Sequence, residues 1–355
     1  MSKGKKILLY SALFILATYF LFLGLAQAKG FLIPLTAAII LSLLMVPLSQ
    51  KMEKRFMNRA SASLVSTFII FLVSVGFVAL VSFQVKSIVD KWPDIKETMT
   101  PKIERLRSFV LEHTPVEKGD LEQSGESSSI PMMGSGSSSR GEQAANFFSQ
   151  VMSFFADYLL TFIYIFFLLN YRHRFKEFLL KLFPDEKKKD VKTVIEKSAS
   201  VTQHYLVGKL FLIGLLAVLY SVGLGISGVD NFILISVLAA VLSLVPYVGN
   251  IIGFGLALAF GYLTSGESGV LIGIIITFAI AQFVESYVLE PYVVGDQVDL
   301  HPFFVILAVI VGNMVWGVAG MILSIPILAM INVVLLNVGP LQAFGFLFSK
   351  EDSSD

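Results

Sequence analysis

Apolar residues gather along this chain into long blocks, separated by short polar or basic stretches. Runs at about 7–26, 31–49, 62–85, 147–170, 209–227 and 268–288 each come close to the ~20 residues an α-helix needs to cross bilayer hydrocarbon. The alternating short segments of a membrane β-barrel do not occur in the pattern. Two further apolar stretches, 231–264 and 303–337, are too long for single spans, and each is interrupted. The first breaks at VPYVGN (Val245 to Asn250) and the second at GNMVWGVAG (Gly312 to Gly320). The pattern predicts an all-α polytopic membrane protein of about eight membrane segments, with two interrupted hairpins in the C-terminal half. Each hairpin is either re-entrant or a pair of full crossings, and the pattern leaves both open.

The polar intervals divide the chain into membrane spans over 1–85, an extracytoplasmic region over 86–146 and one span over 147–170. A basic helical loop over 171–208, a C-terminal core over 209–340 and a tail over 341–355 follow. Lys and Arg in the short loops set the orientation. Lys3, Lys5 and Lys6, then Lys51, Lys54, Arg55 and Arg59, then Arg172, Arg174, Lys176, Lys181 and Lys187 to Lys189 all mark one side. This places both termini in the cytoplasm and region 86–146 outside. There the apolar positions Ile88, Trp92, Ile95, Met99, Ile103, Leu106 and Val110 step by three or four, a helical stripe interrupted by Pro93 and Pro101. The stripe suits self-association or packing on the membrane domain. Beyond it, Ser124 to Glu142 has the Ser/Gly composition of a linker. In the basic loop, Phe175, Phe178, Leu179, Leu182 and Phe183 share a face, which predicts a helix lying on anionic lipid. A second helix is predicted to start near Pro184, with Asp185 and Glu186 in its first turn.

Composition agrees with the pattern and narrows the chemistry. With 355 residues, 55% of them hydrophobic and 15% charged, and a mean hydropathy of +0.77, the chain is too apolar for an ordinary soluble domain. A net charge of +1, with the basic residues held in loops, gives no nucleic-acid footprint. Zero cysteines exclude disulfides, thiolate metal sites and cysteine nucleophiles. No P-loop and no HExxH occur, and His113, His173, His204 and His301 lie on different loops, so no enzyme, cofactor or metal site is expected. The N-terminal run ending in AQA (Ala26 to Ala28) imitates a signal peptide, but it exceeds the usual ~7–15-residue apolar region. It reads as a retained first span.

The candidate chemistry lies in the C-terminal half. With five spans before it, the stretch 231–264 enters from outside and 303–337 from inside, so the two broken hairpins are inverted relative to each other. Paired interruptions of this kind point to a transport site, because unwound backbone at membrane depth is tolerated only inside protein or beside a water-filled cavity. The alternative is two tight hairpins whose glycines serve packing. Pro246, Gly249, Asn250, Gly312 and Asn313 would shape the breaks. Glu285 ends an apolar run, ~26 Å along the span that starts at Ser268, with Gln282 one turn deeper on nearly the same face. Either this carboxylate reaches the interface, or it lines a polar path with Gln282 and takes and releases a proton or coordinates a cation. His301 precedes Pro302 at a predicted helix start, where it serves as a cap or as a proton relay.

LVPYVGN, then AQFVESYVLEPYVVGDQVDLHPFFVILAVIVGNMVWGVAGMILSIPILAMI, resemble the autoinducer-2 exporter family of bacterial permeases. The resemblance is strongest from Tyr205 to Val334 and includes the spacing of Gln282, Glu285, Pro291, Gly295, His301, Pro302 and Gly312. It implies an inner-membrane exporter of a small solute such as autoinducer-2, or a sodium or lithium ion/proton antiporter, assembled as a homo-oligomer, plausibly a pentamer. Outside transport, the rival is an oligomeric membrane scaffold. The external stripe and the linker match nothing in the family core.

Overall fold

The structure is a computed structural model and describes residues 3–90, 101, 140–246, 248–264, 267–293 and 299–350. The apolar positions of the external stripe from Trp92 to Val110, and the linker over 124–139, lie outside the described residues. Among the described residues there are helices and turns but no strands. Helices α1 (Lys3–Gln27), α2 (Lys29–Arg55), α3 (Arg59–Asp90) and α4 (Arg140–Lys181) come first. Then follow α5 (Lys188–Ile226), α6 (Phe232–Leu242), α7 (Val248–Thr264) and α8 (Ser268–Val284). Helix α8 runs on through a π-helical turn, Glu285–Leu289, into the short α9 (Glu290–Val293), and the chain ends with α10 (Pro302–Asn337) and α11 (Gln342–Phe348). Six helices among the described residues are long and apolar enough to cross a membrane. Helix geometry pairs every interior backbone group along the segment itself, which hydrocarbon demands. Hydroxyls inside these helices follow the same rule: Ser66 Oγ donates to the Ala62 carbonyl at 2.8 Å, and Thr277 Oγ1 to that of Gly273 at 2.8 Å.

Two apolar cores organise the molecule. Helices α2, α3 and α4 close around Ala38, Ile70, Phe162, Ile165 and Leu169. Helices α5 to α8 close around Leu212, Leu216, Tyr220, Leu224, Ala239, Ala257, Ile274 and Phe278. Helix α10 packs on α5 and α2 and so bridges the two. Close crossings hold the second core together: a Cβ at Gly223 would stand 2.3 Å from Thr277 Cγ2, and one at Gly273 would stand 2.4 Å from Ser227 Oγ. Helices α5 and α8 are therefore antiparallel and nearly in backbone contact, as small residues permit between membrane helices.

Both broken stretches fold as hairpins. Helix α6 has 11 residues, ~16 Å of rise, about half the hydrocarbon thickness. It turns back at Ser243 to Pro246 into α7, where a Cβ at Gly253 would lie 3.0 Å from the Ala239 Cα. In the second stretch Gly317 has φ 62° and ψ −142°, a conformation natural only to glycine, and the chain reverses there. A Cβ on Gly320 would lie 2.0 Å from the Gly312 carbonyl oxygen, whereas eight residues of unbroken helix would separate the two by ~12 Å. Trp316, at this tip, donates from Nε1 to the Leu25 carbonyl at 3.0 Å and ties the hairpin to the end of α1.

The segment from Tyr171 to Lys181 differs from its expectation. It continues α4 without interruption, with no break between it and the span that precedes it. Its apolar face, Phe175, Phe178, Leu179, Leu182 and Phe183, is exposed. The pair formed by Arg172 and Glu53 at 2.5 Å anchors α4 to α2 at the start of that segment.

Candidate functional site

The break between α6 and α7 places Asn250 in the first turn of α7, with Gly249 N–H bonded to the Val245 carbonyl at 2.9 Å. A Cβ at Gly249 would stand 1.7 Å from the Leu242 carbonyl oxygen, so the turn closes only with glycine there. Asn250 Nδ2 donates to Gln282 Oε1 at 2.9 Å and to Glu285 Oε2 at 3.2 Å. Gln282 Nε2 donates to Glu285 Oε2 at 3.4 Å and to Ser286 Oγ at 3.2 Å. Glu285 itself is 6% exposed. The amino-terminal turn of α7 thus arrives beside an acceptor-rich carboxylate, where the positive end of its dipole favours negative charge.

The backbone changes form at the same residue. The π-helical turn starts at Glu285, and the Glu290 N–H bonds to the Glu285 carbonyl one residue further back than an α-helix would reach. Such turns widen a helix and often occur at functional positions. Pro291, which has no amide hydrogen, is the sequence signal that the regular ladder cannot continue here. Beneath the site, Tyr220 stacks on Phe278 at 4.5 Å, and Phe254 from α7 meets the same ring at 5.3 Å. An aromatic floor therefore joins α5, α7 and α8 below the polar groups.

Asn250, Gln282 and Glu285 come together, and Pro246 and Gly249 build the turn that delivers Asn250. Gly312 faces Gly320 across the second hairpin, and Asn313 is exposed beside it. His301 caps α10: its Nδ1 accepts the Phe303 N–H at 3.2 Å, and its own N–H donates to the Phe348 carbonyl at 2.7 Å. Sequence reasoning passed over Lys209, the only charged residue between Tyr205 and Ile226 on α5, whose charge acts on Glu285 and Glu290. A lone lysine inside HYLVGKLFLIGLL was its signal, but a span drawn to begin at that residue read it as a boundary.

Comparison with known proteins gives this geometry a family. The family described as AI-2E family transporter matches residues 9–338. Several relatives carry names that assign them to transport. YueF of Bacillus subtilis is 25% identical over 174 residues, 49% of this chain and 47% of that protein. YrrI of the same organism is 30% identical over 133 residues, 38% of this chain and 37% of that protein. MT0215 of Mycobacterium tuberculosis is 24% identical over 308 residues, 84% of this chain and 81% of that protein. The matched part spans less than half the length of YueF and of YrrI. With a family match that runs through both hairpins and the Asn250–Gln282–Glu285 cluster, the chain belongs to the AI-2E transporter family and is a multi-pass α-helical membrane protein.

Proposed function

We propose that this protein is a secondary transporter that exports a small polar solute of the autoinducer-2 type across a bacterial inner membrane, with both termini in the cytoplasm. The observation that carries this reading is the buried Glu285, met by amide donors from Asn250 beside the tip of a broken hairpin and from Gln282 on the helix that leads to it. Ionisable groups placed inside a membrane protein are costly and mark ion or substrate paths. Family membership and the names of the relatives support transport as the activity. The test is efflux of autoinducer-2 from loaded liposomes under an imposed pH gradient. Release faster than from protein-free liposomes is the expected result, and equal release removes the exporter reading.

Sodium or lithium ion/proton exchange is the second reading, favoured by one feature. Asn250 Oδ1 is buried and accepts no hydrogen bond, and it belongs to the same side chain that reaches Glu285 and Gln282. Oxygen groups so gathered suit a hard monovalent cation, since unpaired buried oxygen is costly without a partner. The exposed apolar surface of α1 leaves room for lipid or for neighbouring copies of a homo-oligomer.

A further inference from the structure

Lys209 and Glu285 are the charged groups that α5 and α8 bring to one level. Helix α5 packs against both the π-helical turn and α9, and the lysine's charge acts first on Glu285 and next on Glu290. The side chain of Lys209 is half-buried, and among the described residues it makes no ion pair within 4.0 Å. The hydrogen-bond partners of Glu285, Asn250 and Gln282, are neutral amides. They orient the carboxylate without neutralising it. The other titratable groups facing this level are Tyr205, which lies in the field of Glu290, and Tyr220, which lies in that of Glu285. Neither carries positive charge.

We propose that Lys209 is the resident counter-cation of Glu285. It stabilises the carboxylate when the site is empty and gives way when a proton or a monovalent cation arrives. The inference rests on Glu285 being the exchanging group. An ammonium that stands close but unpaired fits the role better than a fixed ion pair does. A locked pair would hold the carboxylate permanently, whereas a stand-off pair lowers the cost of the empty site and still yields to cargo. Lys209 is thus a positioning and charge-balancing residue, and it sets how readily Glu285 lets its proton go.

The test needs no transport. Hydrophobic carbodiimides react with carboxyl groups in their protonated form, so the rate at which the unmodified Glu285 peptide disappears reports how often the proton is in place. Full-length protein in lipid nanodiscs is treated at neutral pH and mapped by mass spectrometry. Lys209→Gln and Lys209→Met are expected to react about tenfold faster than wild type, the size of effect a neighbouring charge produces, and Lys209→Arg at the wild-type rate. Having two uncharged variants guards against misfolding in one, and a thermal melt identifies the folded protein. Equal rates in wild type and in a folded uncharged variant would overturn the proposal. Because no flux is measured, that result leaves the transport reading intact, whereas a failed flux assay leaves the carbodiimide rates unchanged, so the two failures are distinguishable.

Discussion

Gly249 has no room for a methyl group, since its Cβ would be driven into the Leu242 backbone. Gly255, two turns along the same helix, meets nothing within 4 Å. Alanine at 249 should therefore cost about 1–3 kcal/mol or more through overpacking, and alanine at 255 should be neutral or slightly stabilising, as it usually is in an open helix interior. Thermal unfolding in detergent measures both, and equal effects would contradict the hairpin geometry. The same site shows how far single residues could be read. Glu285 and Gln282 were legible because a carboxylate at the end of an apolar run needs an explanation. The role of Asn250 as a hydrogen-bond partner was not legible. It depends on a contact between residues far apart in sequence, and the run in which it lies announces only a turn. Lys209 was overlooked for a related reason, since hydropathy treats a polar residue at the edge of an apolar block as the end of the block.

Among the elements, the two hairpins were readable as interruptions, and the structure supplies what hydropathy lacks, the direction of the chain after each break. The positive φ at Gly317 and the meeting of Gly312 with Gly320 turn an apparent long helix into a reversal. The continuation of α4 was misjudged because an amphipathic face looks the same whether its helix lies on lipid or projects from a bundle. Whether a break precedes it decides between the two, and RHRFKEFLLK carries no helix breaker. The Arg172–Glu53 pair fixes that helix to α2, with side-chain exposures of 13% and 19%. Arg172 also donates to the Leu169 carbonyl at 3.0 Å. Removing only one partner leaves a half-buried charge alone, so Arg172→Met should cost about 3 kcal/mol, and adding Glu53→Met should recover most of it. A double-mutant cycle in thermal stability measures the coupling, and additive losses would show that the pair does not hold the helices.

At the scale of the molecule, two helical cores sit side by side, and α10 bridges them. Among the described residues, the break between α6 and α7, the π-helical turn and the buried Glu285 come together in the C-terminal core. Composition and periodicity made the all-α membrane class plain, because twenty-residue apolar blocks admit few other structures. They were silent on how the halves pack, since lipid-facing and protein-facing surfaces are equally apolar. The central claim is that ion-coupled movement passes through Glu285. It is tested most directly with purified protein in liposomes that enclose a pH-sensitive dye, with sodium or lithium ions added outside, comparing wild type with Glu285→Gln. On the ion/proton-exchange reading, wild type gives a cation-triggered change of internal pH that is lost in the variant while its folding and expression are retained. An unchanged response in a folded Glu285→Gln protein would contradict it.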